Sequence, residues 1–110
     1  MAPIRVGVLA RFVAAGLVPV QIGAVPVTDT WLIKDVRVWN PTGVTHLMQA
    51  FALDPTGLIR TYIFYINSAN ISVAQVGIGL ALGPGDTVWF GADAVGCGCW
   101  ISGVDLPGHL

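Results

Sequence analysis

The sequence predicts an all-β protein: an antiparallel β-sandwich, jelly-roll-like in form, with about eight strands and an extended N-terminal arm. The first observation is that Gly, Pro and Asn interrupt the chain about every ten residues. The second is that the runs between them are rich in Val, Ile, Thr and aromatic residues, which favour strands. No stretch shows the periodicity of an amphipathic helix.

At 110 residues the chain fits one domain with a core between two layers. Residues 29–110 carry the strand pattern and are predicted to form the sandwich. Residues 1–28 alternate less regularly, with Pro19 and Pro26 among single valines, and are predicted to form an N-terminal arm or edge strands. An arm would add a strand to the sheet of a neighbour.

Eight runs fit a strand, each bounded by turn residues. They are Arg5–Leu9, Val18–Ile22, Thr30–Asn40, Val44–Asp54, Leu58–Ile66, Ile71–Leu82, Asp86–Ala92 and Cys97–Val104. Two of the turns between them, Asn40–Gly43 and Asp54–Gly57, share one form: a side-chain acceptor, then Pro, Thr and Gly. This form indicates type I turns, here joining three consecutive antiparallel strands.

Alternation indicates which side of each strand is buried. The apolar residues Ile33, Val36 and Val38 are out of phase, and they share a face only if a one-residue bulge lies near Lys34–Asp35.

Two later runs indicate faces that a neighbouring strand or subunit could cover. Ser72–Leu82 alternates large apolar residues with a smooth row of small ones, which accepts a close neighbour. Arg60–Ile66 is apolar or aromatic on both sides, which predicts either a central strand or a strand covered by another subunit.

Charged residues make up only 10% of the chain, Glu is absent, Lys34 is the only lysine, and the net charge is -1. A soluble monomer normally carries more surface charge, so an obligate oligomer is predicted. The alternative is a monomer with a surface of Ser, Thr, Asn and Gly.

The few basic residues are scattered and balanced by six aspartates, which argues against nucleic-acid binding. The apolar stretch Phe12–Thr28 contains two glycines and two prolines and is too short for a membrane helix, so no membrane insertion is predicted. The first residues lack a clear signal peptide, and we expect an unprocessed chain made in a cytoplasm.

Catalytic chemistry is not evident, and the chain is predicted not to be an enzyme, with no catalytic, cofactor-binding or metal-binding residues. The histidines, His46 and His109, have no companion motif for nucleophilic catalysis. The aspartates fall at turns and strand ends, where capping explains them. No phosphate-binding loop is present.

Cys97 and Cys99 lie two residues apart, too close for a favourable disulfide with each other and without a second pair to complete a zinc site. Reduced, packed thiols are predicted, which suits synthesis in a reducing compartment. The alternative is pairing between subunits around a symmetry axis.

The four tryptophans fit either a core and an interface or a sugar-binding surface. Core and interface are favoured because aromatic residues anchor both. The candidate interface residues are Trp39, Tyr62, Phe64, Trp89 and Trp100. Two or more tryptophans exposed in one plane would favour a carbohydrate-binding module instead.

Three stretches, Thr30–Pro41, Leu80–Phe90 and Trp100–Leu106, resemble the small β-sandwich virion proteins of tailed bacteriophages. In that group an early strand ends in Asn before a turn, a Pro-Gly-Asp turn precedes a late strand, and the chain closes on a Ser-Gly-Val strand. The first of these strands often opens with Pro-Ala-Gly there, whereas this chain has Val27–Asp29.

The resemblance implies a virion structural subunit, made in the host cytoplasm, that needs no cofactor. It implies assembly as a homotrimer and docking to other tail or capsid proteins of a phage. A minor tail or tail-tip protein is favoured over a capsid decoration protein. A glycan of the host surface is a further candidate partner, and a carbohydrate-binding β-sandwich module is the alternative of a different class.

Overall fold

The structure of the protein, a computed structural model, describes residues 4–14 and 16–107. Every regular element in these two ranges is a strand, which confirms the predicted all-β sandwich. The strands are β1 (Arg5–Val13), β2 (Val20–Ala24), β3 (Asp29–Trp39), β4 (His46–Leu53), β5 (Arg60–Ser68), β6 (Ser72–Leu82), β7 (Thr87–Ala92) and β8 (Gly98–Pro107).

The strands form two four-stranded sheets in the orders β1-β8-β3-β6, here sheet A, and β2-β7-β4-β5, here sheet B. The pairs are antiparallel, and most connections cross from one sheet to the other. Two sheets of four wound in this order make a jelly roll. β1 and β6 are the outer strands of sheet A, and β2 and β5 are those of sheet B.

One hydrophobic core fills the space between the sheets. Its most buried large side chains are Ile33 of β3, Met48 of β4, Phe90 of β7 and Ile101 of β8. The ring of Phe90 is at the centre, with the ring of Phe64 6.2 Å away between centroids. Because both sheets contribute side chains to this core, the inner face of each sheet is buried only by packing against the other.

The described part of residues 1–28 contains the two outer strands β1 and β2, which pair with β8 and β7 of the same chain. Each carries a register shift, between Val8 and Ala10 in β1 and between Gln21 and Gly23 in β2. A bulge reverses the side on which the following residues point, which explains why alternation is hard to read in this part of the sequence.

The bulge predicted near Lys34–Asp35 is confirmed. The register of β3 shifts between Ile33 and Asp35 against both of its neighbours, and Ile33, Val36 and Val38 are all buried. The backbone of β8 comes very close here. A Cβ atom on Gly103 would lie 1.9 Å from the carbonyl oxygen of Leu32, so only glycine fits opposite the bulge.

The turn at Asn40–Gly43 corrects one prediction. The turn at Asp54–Gly57 joins the paired strands β4 and β5, but Asn40–Gly43 joins β3 of sheet A to β4 of sheet B, which are not paired. The reason is that β3 already pairs with β8 and β6, and β4 with β7 and β5, so neither strand has a free edge for the other. Asn40, at the crossover, is fully buried. Its amide nitrogen donates to the carbonyl oxygens of Val44 (2.7 Å) and Ser68 (2.9 Å), and so holds two sheet-to-sheet connections together.

β5 is an outer strand, so the run Arg60–Ile66 is not central in its sheet. In β6, Leu82 is buried and Ile78 and Leu80 pack against the core, while Gly79 and Ala81 are exposed, as the alternation predicts. The sandwich therefore has an edge, formed by β5 and β6, where apolar residues reach the surface.

Candidate interaction surfaces

His46 has a partner that the sequence did not reveal. Its Nδ1 lies 2.8 Å from Oδ1 of Asp93, which also accepts a hydrogen bond from the backbone N–H of Leu47. Burial and the charge of Asp93 raise the pKa of the nearby Cys97 thiol. Activated thiols have a lowered pKa, so this group lacks the chemistry of a cysteine nucleophile. His109 lies outside the described residues.

The thiols of Cys97 and Cys99 are buried, reduced and part of the core. Burial raises the pKa of the Cys99 thiol to about 12, so the neutral thiol dominates at physiological pH. Both side chains are shielded from solvent in the folded chain. Within residues 4–14 and 16–107, no three His, Cys or Asp side chains cluster as a metal ion requires.

The aspartates serve local structure. Asp54 accepts hydrogen bonds from Thr56 and from the backbone N–H groups of Leu58 and Ile59, and these bonds lower its pKa. Asp86 accepts one from the N–H of Gly83.

Asp105, buried in β8, pairs with the exposed Arg5 of β1. Burial raises the pKa of Asp105, but the hydrogen bond from Arg5 and the positive charge of that arginine bring it below its usual value. The pair fastens the outer strand β1 to the centre of sheet A.

The outer side of sheet B carries a cluster of aromatic side chains, here called the aromatic face: Phe51, Tyr62, Tyr65 and Trp89. Trp89, Phe51 and Tyr62 stand in one row across β7, β4 and β5. The rings of Phe51 and Trp89 are parallel at 6.4 Å, and Tyr62 meets Phe51 edge to face at 6.1 Å. Tyr65 extends the cluster by a further edge contact with Tyr62 at 5.7 Å.

Phe51 is only 3% exposed although it points away from the core, because its neighbours cover it. The guanidinium of Arg60 lies 4.0 Å above its ring centre, a cation–π contact. The two tyrosines remain open to solvent, with 48% exposure for Tyr62 and 58% for Tyr65. The aromatic face is thus an ordered surface whose rings are held by contacts with one another.

Beside the aromatic face, the tip of the β4–β5 hairpin presents Leu58 and Ile59, both largely exposed. Asp54 fixes their backbone N–H groups. Together they lengthen the apolar surface beyond the end of the sheet.

The outer side of sheet A carries a second feature, here called the tryptophan groove. It is a shallow depression of about 450 Å³ lined by Arg11, Phe12, Val13, Trp39 and Trp100. The indoles of Trp39 and Trp100 are perpendicular, with 6.5 Å between their ring centres. Trp100 is 41% exposed.

The structure separates the five residues predicted at an interface. Tyr62 and Trp89 belong to the aromatic face, and Trp39 and Trp100 to the tryptophan groove on the opposite side of the sandwich. Phe64 is buried in the core against Phe90 and reaches neither surface. Trp31, the fourth tryptophan, is also buried.

The reason for the error at Phe64 is a bulge in β5. Tyr62 pairs with Phe51 and Phe64 pairs with the adjacent Ala50, so Ile63 is an extra residue. Simple alternation puts Tyr62 and Phe64 on one face, whereas the bulge turns Tyr62 outward and Phe64 inward. The sequence analysis also missed Phe51, Tyr65 and Arg11. The inward row Met48, Ala50 and Ala52 gives the signal for an outward Phe51.

Comparison with known proteins gave no relatives: no family model matches the chain, and no curated protein matches its sequence. No helix in the described part of the chain is long and apolar enough to cross a membrane.

Proposed function

We propose that this chain is a structural subunit of a bacteriophage virion, a minor tail or tail-tip protein that assembles with copies of itself and docks to other virion proteins. The observation that carries the proposal is the aromatic face. Large rings held in a fixed arrangement, with two tyrosines open to solvent, are the kind of surface that protein partners bury.

The charge distribution favours a second copy of the chain as the first partner. The charged residue that contacts the aromatic face is Arg60, and its guanidinium is already engaged with Phe51. Copies packed around a common axis would therefore bury aromatic area with little repulsion. Strand β6, an outer strand of sheet A, has no charged residue over its 11 positions, so this strand edge has little to oppose pairing with another chain.

The outer face of sheet B is too small to form a stable interface by itself. Four strands about 4.8 Å apart and about six residues long present a face of about 400 Å². A stable interface buries about 800 Å² on each partner, so the sheet face alone is too small. The partner must also cover the hairpin tip at Leu58 and Ile59 or the edge of β5.

The jelly roll is compatible with this role, since viral capsid proteins use it, but lectins and cupins use it as well. A fold by itself does not assign a function. Support for a phage virion comes from the resemblance of Thr30–Pro41, Leu80–Phe90 and Trp100–Leu106, and from the low charge of the chain. A capsid decoration protein is the second candidate within the same class.

Assembly is tested by light scattering over a range of concentrations. The expected species is a trimer, three times the 11.5 kDa of one chain. Replacing the exposed rings together, Tyr62→Ser with Tyr65→Ser, is expected to give monomers. The matched control is Val6→Ser with Val8→Ser, which removes exposed apolar side chains from β1 and should leave the trimer intact.

A wild-type chain that stays monomeric at every concentration contradicts assembly. A trimer that survives the double tyrosine substitution contradicts the aromatic face as its interface.

The virion role is tested on particles of the phage that encodes the chain. Mass spectrometry of gradient-purified particles should find the chain, and immunogold labelling should place it on the tail. Label on the head would favour the decoration protein instead. Particles that lack the chain would show that it is not a virion subunit.

A further inference from the structure

The tryptophan groove depends on Gly98, which has no side chain. Trp39 ends β3 beside Gly98, the first residue of β8, and its indole lies directly over that glycine. A Cβ atom on Gly98 would come within 2.3 Å of Cζ2 of Trp39 and within 2.7 Å of the carbonyl oxygen of Phe12. The glycine therefore lets the indole settle onto the sheet, where it forms part of the groove.

Trp100 forms a wall beside this indole. The residues before and after it in β8, Cys99 and Ile101, face the core and are fully buried, so Trp100 points outward. Its ring stands perpendicular to that of Trp39. Two indoles at a right angle give a corner with one aromatic surface below and another at the side.

Two arginines flank Trp100. Arg11 of β1 and Arg37 of β3 are its direct cross-strand partners, so the three side chains form a row on the outer side of sheet A. Both arginines are exposed, and neither forms a salt bridge with any residue that the structure describes. Arg37 lines a neighbouring depression that also contains Asp35, whereas no carboxylate lines the groove beside Arg11.

We propose that the tryptophan groove binds an acidic sugar, a pyranose ring with a carboxylate. One side of such a ring presents C–H groups with partial positive charge, which the negative face of an indole attracts. The carboxylate would pair with the guanidinium of Arg11, whose donors match its two oxygens. The volume of about 450 Å³ is in the range of small-molecule sites.

The charge of the groove selects this ligand over a neutral sugar. A neutral ring would gain only the contact with the indoles and would leave Arg11 without a partner. An acidic ring gains an additional charge-assisted pair, which weakens as salt screens it. The site lies on the sheet opposite the aromatic face, so it is independent of the proposed assembly and remains open when that face is covered.

The test uses trigalacturonate and its fully methyl-esterified form, which has the same rings without the charge, and sialyl-lactose as a second acidic probe. Binding to the full chain is followed by calorimetry and by tryptophan fluorescence. At least one acidic probe is expected to bind at low salt, with an affinity at least tenfold above that of the neutral ester. Raising the salt should reduce this difference.

Three variants assign the site. Trp100→Ala is expected to lower the affinity for the acidic probe at least tenfold. Arg11→Gln should reduce it to that of the ester while leaving the ester unaffected. Lys34→Gln, which removes a positive charge from an exposed position of the same sheet outside the groove, is the matched control and should bind as the wild type does. Light scattering on each variant shows whether assembly is unchanged.

Failure of both acidic probes to bind overturns the proposal, as does equal binding of acid and ester. Binding that survives both Trp100→Ala and Arg11→Gln places the sugar elsewhere and overturns it too. Because light scattering measures the mass of the oligomer separately from sugar binding, loss of binding and loss of assembly can be told apart.

Discussion

Asn40 and Asp54 hold the first position of turns that are otherwise identical in sequence, but their surroundings are opposite. Asn40 is fully buried, and its amide both donates to two carbonyl oxygens and accepts from Thr42. Asp54 is in contact with solvent and only accepts hydrogen bonds. The buried position needs a group that donates as well as accepts without charge, and the exposed one gains from a full negative charge.

Exchanging the two side-chain types should therefore have unequal effects. Asn40→Asp places a carboxylate against the carbonyl oxygens of Val44 and Ser68 and is expected to lower the free energy of unfolding by about 3 kcal/mol. Asp54→Asn keeps an acceptor at an exposed turn and should cost less than about 1 kcal/mol. Urea denaturation of both variants measures the difference, and equal losses would contradict the assigned roles.

Bulges decide which strand residues face the core. The bulge at Lys34 could be predicted because Ile33, Val36 and Val38 are strongly apolar, and only one phase shift unites them. In β1 the residues around the bulge, Val8, Leu9 and Ala10, are all small or apolar, and in β2 a single Gln21 precedes Ile22 and Gly23, so neither strand contains a comparable contrast. The same lack of contrast hid the bulge at Ile63, which is why Phe64, a buried residue, was predicted as an interface candidate.

The eight strands and most of their limits follow from the sequence because turn residues bound them. The assignment of strands to sheets does not, since Asn40–Gly43 and Asp54–Gly57 look alike and yet only the second joins paired strands. Trp39, Tyr62, Trp89 and Trp100 could be predicted as surface candidates. Their division between two opposite faces depends on strand order, which local patterns do not contain.

The bulge in β3 and the glycine opposite it form one unit, and this can be tested. Gly103→Ala would place a methyl group against the backbone of Leu32, which cannot move without breaking the pairing of β3 and β8. We expect a loss of about 3 kcal/mol or more in the free energy of unfolding. Gly16→Ala is the control, because nothing lies within 4 Å of its added carbon.

Thermal unfolding followed by circular dichroism compares these two variants with the wild type. A change within about 0.5 kcal/mol is expected for Gly16→Ala, as for an open surface position. A similarly small change for Gly103→Ala would show that the strand pair accommodates the methyl group, against our account of the bulge.

The sandwich as a whole divides its surface between two sides. Sheet B presents the aromatic face, and sheet A presents the tryptophan groove with its arginines. The edges differ as well, since β1 contains Arg5 and Arg11 whereas β6 contains no charge. Such a division suits the assembly proposed above, in which copies join through one side and leave the other free.

The two thiols report on the integrity of the whole core. Cys97 and Cys99 are inaccessible, and burial raises the pKa of both, so neither should react with a thiol reagent at neutral pH in the native state. Both should react after unfolding in denaturant. Absorbance with Ellman's reagent counts the groups. Fast reaction of the native protein would mean that the core opens locally around β8.

The central place of β8 in sheet A also bears on how the chain acquires its structure. β8 is the last of the eight strands to be synthesised, yet it lies between β1 and β3, the first and third. Sheet A therefore cannot close until almost the whole chain is available, and its pairing joins residues about a hundred positions apart. Closing such long loops slows folding and leaves β1 and β3 without their shared partner in the meantime. If the chain assembles as proposed, nascent chains would reach the assembly-competent shape only after synthesis has passed β8, and unfinished subunits would stay out of growing assemblies.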